Sequence, residues 1–590
     1  MFRPRLTGRT FSTRWQVGLP WVAVAALLSL CVLHGISSQR GVRVPADTDS
    51  LRDLGFIQGL LDGNYWGDPS YAGEWRYYPP LVHIIVAAIA RVSGATDLLL
   101  LWTRSGIWLN LLTPVAFFLM CRELFAGSGA AVAAICFYVL WSSSHVTPWI
   151  MGGYTPWPLT PSIAQTLFFI GVLAIVTAKP PSFRMASLMR AALIGLLIGL
   201  TLVAHLVPGV ILTAIAVVVA TVQARCHPWI IVWLGLVAVV ELATAAPYLV
   251  TTVLYYPAGM LNDVYKYAVE DNFIVNGPLQ LHNLKQVAKI NAPGSLALLV
   301  AIVLIRRRRD IGLASRTALL AWIGVCAVFI TRHYACALVG TSQARVCQIF
   351  VLTVHHYQLY LSNAWACLMG YVTWAAVQMA AAPGRARWRR PAAAIVAVAL
   401  LVFGVRSFLY NRYDQQARQS AMADGLDFDP QAYHWVLANT VPRDIFVTEL
   451  ESELQREWHT PAALTVMAAG RQMVAAPVLY SNPFVDWMAR DARRRLYLNA
   501  ASRDGNGDVR LCDFQNQHAY LLVQCDFEVR STSPHIEFRR RDAGNDSHSV
   551  NANCAATMAS LFKPRARHAT TKPSSPATER PMTRSCWSAG

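Results

Sequence analysis

The sequence predicts a mainly α, polytopic transmembrane helical bundle with a smaller α/β or α+β extracytoplasmic domain at its C-terminal end. Three observations carry that prediction. Of 590 residues, 55% are hydrophobic and only 14% charged, too few charges to solubilise a chain of this length. Apolar runs long enough to cross a bilayer recur as far as residue 409 and then stop. Arginine clusters fall in alternate gaps between the runs, as the positive-inside rule requires. The net charge of +18 therefore reports topology and a basic tail. No stripe of basic and aromatic residues forms one face, which argues against nucleic acid as a partner.

In chain order, Arg3, Arg5, Arg9 and Arg14 precede the first run, Val17 to Leu33. No small-x-small cleavage site follows, so this run reads as an uncleaved anchor with its N-terminus in the cytoplasm. A long outer loop, 38–80, comes next. Leu81 to Ala90 is apolar but far short of the roughly twenty residues a span needs, so it lies along the interface or dips partly in. Spans follow near 98–120, 128–144, 159–178, 190–206, 208–223, 229–249, 294–305, 315–331, 359–379 and 391–409, about eleven in all with the first. This alternation puts Arg122, Lys179–Arg190, Arg225, Arg306–Arg309 and Arg385–Arg390 inside. It puts the opening loop, 145–158, 250–292, 332–358 and everything after 410 outside.

The chain thus divides into a transmembrane domain (1–409), an extracytoplasmic mixed domain (410–540) and a disordered basic tail (541–590). The mixed domain has strand-like runs at Asp444–Thr448, Met473–Ala475 and Ala519–Gln524, with capped helical stretches between them. Cys512 and Cys525 lie in it, and Cys336 and Cys347 in an outer loop. An oxidising compartment permits disulfides at both places, with pairing left open. The tail is rich in Ser, Thr, Pro and Arg and lacks an apolar period.

Candidate functional residues lie in the outer segments. The opening loop brings Asp47 and Asp49 to the membrane surface, followed by Asp53, Glu74 and Tyr78. Two carboxylates in a loop too long for a mere connector suggest a site, against the plain alternative of acids facing water. Segment 250–292 carries Tyr255, Tyr256, Asp263, Tyr265, Lys266, Tyr267, Glu270 and Asp271. These suit sugar stacking and hydroxyl recognition, although an interfacial aromatic belt explains the tyrosines equally well. Segment 332–358 departs from the charge rule: Arg332, His333, Arg345, His355 and His356 put cationic or protonatable groups at the outer surface. Such groups can hold a phosphate or pair with lipid headgroups. Adjacent histidines point apart, which disfavours a metal held by that pair. No Walker loop, zinc spacing or GxSxG signature is present.

Several separate stretches resemble the GT-C glycosyltransferases, multispanning enzymes that take sugars from polyprenyl-phosphate carriers. Asp47-Thr48-Asp49, Asp53, Gly63-Asn64-Tyr65, Gly73-Glu74 and Tyr78-Pro79-Pro80-Leu81 are similar to the family's acidic first loop. Leu101-Trp102-Thr103-Arg104 and Arg122-Glu123-Leu124-Phe125 resemble the flanks of its next span. Asn439-Thr440-Val441-Pro442-Arg443-Asp444, Ala469-Gly470-Arg471 and Tyr480-Ser481-Asn482-Pro483 resemble the pattern of relatives with an outer C-terminal domain.

The resemblance implies transfer of a sugar from a polyprenyl-phosphate donor to an extracytoplasmic glycan, lipid or protein acceptor during cell-envelope biogenesis. It implies Asp47 as general base, with Asp49 as the alternative, as an acceptor-orienting group, or as a ligand with Asp47 to Mg2+ or Mn2+. Arg332 and Arg345 stand as phosphate ligands with His333, His355 and His356 behind them, and Glu74, Asp53 and Tyr78 as supporting groups. The Arg/His cluster matches no fixed family motif. Two other readings share the spans: a transporter of a lipid-linked glycan, and a non-catalytic assembly partner. Transporters place ionisable groups at mid-bilayer and show internal repeats. Here Glu241 is an exception among spans that mostly lack acids, and no repeat is visible.

Overall fold

The computed structural model describes residues 13–45, 48–141, 152–225, 227–256, 281–308, 311–339, 354–381, 389–422, 428, 430–442, 444–446, 461–475, 482, 484–494, 527–532 and 535–540. Its frame is helical. α1 (Thr13–Ser38) is followed by two short helices of the opening loop, α2 (Thr48–Leu61) and α3 (Leu81–Ser93). α4 (Leu98–Leu109) and α5 (Leu112–Leu124) together make the next apolar column. α6 (Ser128–Cys136) runs into a π-helical turn, Phe137–Trp141. Then come α7 (Thr160–Thr177), α8 (Met185–Ala204), α9 (Leu206–Ala224), α10 (Trp229–Tyr255), α11 (Leu281–Arg308), α12 (Leu313–Val339), α13 (Val354–Ala381) and α14 (Arg389–Leu409).

The described part of each expected span is helical, and among the described residues eight helical columns, against the eleven expected, are long and apolar enough to cross a membrane. The expected span at 98–120 is in fact two helices, breaking at Asn110, whose side chain turns to the carbonyls of Thr155 and Trp157, both 2.9 Å away. α3 is 13 residues long, about 20 Å at 1.5 Å per residue, against a hydrocarbon core of about 30 Å. It buries Val82, His83, Val86, Ala87 and Ala90 and leaves Ile84, Ile85 and Ile89 exposed, the pattern of a helix with one face toward lipid.

The bundle core is continuous from Val24 and Cys31 of α1 through Phe117, Tyr138, Phe168 and Trp322 to Tyr360 and Phe408. Buried polar side chains at the end of the bundle next to α2 hold loops in place. Gln39 Nε2 donates to the carbonyls of Thr103 (2.8 Å) and Pro156 (2.5 Å). Asp414 accepts from Trp157 Nε1 (3.1 Å) and meets His34 Nε2 at 2.6 Å. Trp102 Nε1 donates to the Ser50 carbonyl (2.8 Å), and Arg104 donates to the carbonyls of Gln39 (2.7 Å) and Val42 (3.3 Å). The Trp102 and Arg104 side chains thus fasten both ends of the segment that leads into α2.

After the last apolar helix come α15 (Arg412–Met422) and α16 (Pro430–Asn439), the start of the C-terminal region called the outer domain in the sequence-based expectation. Two-residue strands β1 (Ile445–Phe446) and β2 (Gln472–Met473) pair in parallel around α17 (Pro461–Ala468). They occupy part of two of the expected strand runs, and the third, Ala519–Gln524, lies outside the described residues. An antiparallel hairpin, β3 (Phe527–Thr532) and β4 (His535–Arg540), was not foreseen. The domain grips the opening loop closely. Ala72 N donates to the Met473 carbonyl (3.0 Å), and Met473 N to the Ser70 carbonyl (3.1 Å). A Cβ at Gly55 of α2 would collide with the Met467 carbonyl of α17, so glycine is what lets the two backbones touch. Cys336 belongs to α12, while Cys347, Cys512, Cys525 and the tail 541–590 lie outside the described residues.

Candidate functional site

α2 starts at Thr48 directly after the residues that include Asp47, which itself lies outside the described residues. Asp49, Arg52 and Asp53 follow at helical spacings of three and four, so they share one face. Arg52 binds both carboxylates: Nη1 is 2.8 Å from Asp49 Oδ1 and Nη2 is 2.9 Å from Asp53 Oδ1. Its guanidinium lies 4.3 Å over the ring of Tyr78. Asp53 also accepts from Thr160 Oγ1 of α7 at 2.6 Å, and His83 Nε2 of α3 stands 3.3 Å from its Oδ1. The resulting group joins α2, α3 and α7.

The electrostatics distinguish the two described carboxyls. Burial alone would raise Asp53, but Arg52, His83 and Thr160 outweigh it and hold the carboxylate below its ordinary range. Desolvation opposes the charge on Arg52, yet Asp49 and Asp53 more than offset it, so the guanidinium stays charged. Asp49 is raised by desolvation, pulled back by Arg52 and pushed up again by Asp53. Its side chain is half exposed at 49%, which moderates all three effects. Burial, with Arg76 and Arg52 nearby, lowers His83 against the pull of Asp53, favouring a neutral imidazole. Asp53 is a fixed anion that holds Arg52, while Asp49 faces the rim.

Beside this group an apolar groove of about 500 Å³ opens between the end of α2, α3 and the outer end of α10. Leu60, Ile84, Ala87, Pro247 and Tyr248 line it, and exposed Tyr65 and Trp66 stand at its mouth. Arg76 lines its inner part at 4% exposure. It lies 5.0 Å over Phe56, whose ring also stacks with His83 at 5.1 Å. Burial lowers the Arg76 guanidinium only to about 10, so it is cationic at neutral pH. Its Nε and Nη1 have no hydrogen-bond partner among the described residues. A buried cation with unmet donors is costly and matches an incoming anion.

The remaining expected site residues divide. Glu74 pairs with Arg490 of the outer domain, and Tyr78 packs between Arg52 and Phe56. Arg332 and His333 belong to the C-terminal end of α12, Arg332 being half-buried. His355 and His356 start α13, with rings 4.0 Å apart. Arg345, Asp263, Tyr265, Lys266, Tyr267, Glu270 and Asp271 lie outside the described residues. Tyr256 hydrogen-bonds the Trp75 carbonyl, and Tyr255 stacks on Trp75 at 4.0 Å. Sequence reasoning missed Arg52, Arg76, His83 and Thr160. Arg52 was visible as the third residue after Asp49, and Arg76 as the cation just before Tyr77-Tyr78-Pro79-Pro80. Attention to cations in 332–358 obscured both.

Among the described residues no group of three His, Cys, Asp or Glu is placed to hold a metal ion. Asp53 has both oxygens committed to Arg52 and Thr160, and Asp49 faces Arg52. Asp47, the other ligand expected for Mg2+ or Mn2+, lies outside the described residues.

No protein-family model matches the chain, and no curated protein matches it. Among solved structures it is similar to ArnT from Cupriavidus metallidurans in the apo state, at 12% identity and a TM-score of 0.50, over 83% of this chain and 92% of that one. ArnT bound to undecaprenyl phosphate gives 13% and 0.47 over 80% and 88%. The archaeal oligosaccharyltransferase AglB from Archaeoglobus fulgidus, in complex with an inhibitory peptide and a dolichol-phosphate, gives 13% and 0.45. That match spans 77% of this chain and 64% of the AglB chain. The chain shares the fold of the apo ArnT structure.

Proposed function

We propose that this protein transfers a sugar from a polyprenyl-phosphate donor to an acceptor hydroxyl on the extracytoplasmic side of the membrane. In this reading the N-terminus is cytoplasmic and the outer domain extracytoplasmic. The observation that carries it is the apolar groove with Arg76 at its inner end. An isoprenoid chain fits the apolar lining, and the two unpartnered guanidinium nitrogens suit the phosphate at its head. The groove lies at the C-terminal end of α2, and Arg76 connects it through Phe56 and His83 to Asp53, near which the reaction would occur.

The chemistry is an inverting displacement. Asp47, or Asp49 in its place, takes the acceptor hydroxyl proton as that oxygen bonds to the anomeric carbon. The bond from the anomeric carbon to the phosphate oxygen breaks, and its electron pair leaves with the polyprenyl phosphate. Arg76 offsets the developing charge from the groove side, with Arg332 and Arg345 as further candidates. Arg52, fixed by Asp53, orients Asp49 and adds positive potential. Tyr78 packs against that guanidinium and holds it in place. Every step uses the chain's own side chains.

The test supplies membranes containing the protein with a panel of labelled polyprenyl-phosphate sugars. Label moves from at least one donor in the wild type and from none in Asp47→Asn. If the wild type moves no label from any donor while the protein is folded and inserted, the transferase reading fails.

A further inference from the structure

His205 is the single residue between α8 and α9. Pro208 cannot donate to the Ala204 carbonyl and its ring would strike it, so the helix breaks there and His205 is extended (φ −164°, ψ 134°). The imidazole is 2% exposed, and its Nδ1 has no hydrogen-bond partner among the described residues. Its ring stands 4.7 Å from that of His356, which lies in the first turn of α13. Two helix N-termini, those of α9 and α13, therefore meet at a pair of imidazoles, one of them buried with an unmet nitrogen. Helix N-termini favour anions. Ala204, the residue before His205, packs in the apolar cluster formed by Leu51 and Leu54 of α2 with Val82 and Val86 of α3, which brings His205 to that side of the bundle.

Resting on the transferase reading, we propose that His205, with His356, forms a second contact for the carrier's phosphate and takes up a proton when that phosphate binds. A phosphate has more oxygens than Arg76 can satisfy from the groove. The groups whose charge acts on His205 are His356 of α13 and Arg52 and Asp53 of α2, and the His355 ring lies tilted against that of His356 at 4.0 Å. Burial, then His356 and Arg52, push the His205 imidazole well below its ordinary value, and Asp53 pulls it back. A bound anion opposes that depression, so protonation and binding are linked. No bond to carbon or phosphorus changes in this step. One proton moves from solvent to imidazole.

The test is calorimetric binding of undecaprenyl phosphate to the purified full chain near pH 6.5, in buffers of different ionisation enthalpy. Wild type takes up about one more proton per phosphate bound than His205→Asn, which keeps a donor near Nδ1 but cannot titrate. Its affinity advantage over that variant is tenfold or more near pH 6 and shrinks toward pH 8. His356→Asn shows a smaller change in the same direction. Arg76→Ala weakens binding equally at both pH values. Equal proton uptake and a pH-independent affinity ratio in both histidine variants would overturn the histidine assignment alone. A wild type that binds no undecaprenyl phosphate, or transfers no label, would instead fail the transferase reading.

Discussion

At the residue scale, the aspartates of the opening loop differ in what surrounds them, and their variants separate accordingly. Asp53 is buried with both oxygens committed, so Asp53→Asn removes half of the pairing around a buried guanidinium. Breaking such a pair costs about 3–5 kcal/mol, and the expected result is a clear fall in thermal stability together with lost activity. Asp47→Asn is expected to keep wild-type stability while abolishing transfer; near-normal turnover would remove Asp47 as the base. Thermal unfolding alongside turnover distinguishes the two classes. Asp47 and Asp49 were legible as candidates because acids at a membrane surface stand out. The role of Asp53 was not, because nothing in the spacing shows that Thr160 and His83 approach it from other helices. Arg76 was equally hidden: a lone arginine in a loop declares neither its burial nor the groove beside it.

At the element scale, α2 is held from outside as much as from the bundle. Arg471 reaches Asp62 at 2.7 Å, and Asn482 Nδ2 reaches Asp68 at 3.3 Å and the Tyr256 hydroxyl at 2.8 Å. The sequence patterns containing Arg471 and Asn482 therefore supply the joints between the outer domain and the opening loop. Gly55→Ala gains about 1 kcal/mol of helix propensity, but its methyl meets a backbone carbonyl that cannot rotate away. Overpacking of this kind costs about 1–3 kcal/mol, so the collision wins and α17 loosens. Limited proteolysis should release the outer domain faster in Gly55→Ala than in wild type. Burial pushes Asp68 up to about 6, opposed by the Ser70 amide and Asn482 and reinforced by Glu74. A folded value above the unfolded 3.8 favours the protonated form. Its contribution is full below about pH 4 and is lost as pH rises through about 6, on the order of 3 kcal/mol in all. Thermal stability measured from pH 4.5 to 7.5 should therefore decline less steeply in Asp68→Asn than in wild type.

At the scale of the whole molecule, the architecture was the most readable part. Long apolar runs and alternating arginines are set by bilayer thickness and the side of insertion, so helix covers the described part of each expected span. What the pattern could not show were contacts between distant segments: the break at Asn110, the seating of β2 against Ser70 and Ala72, and the meeting of α9 and α13 at His205. These depend on tertiary packing, which leaves no local period. The groove between α3 and α10 is of the same kind, being built from residues 60–91 and 247–251, and it is where the account is most exposed. A polyprenyl phosphate carrying a photoreactive group near its phosphate, crosslinked to the full chain in liposomes and mapped by mass spectrometry, tests it most directly. The account predicts labelled peptides from 60–91 and 245–256, lost on competition with undecaprenyl phosphate and strongly reduced in Arg76→Ala. Specific, competable labelling confined to other helices, with these segments unmarked, would contradict it.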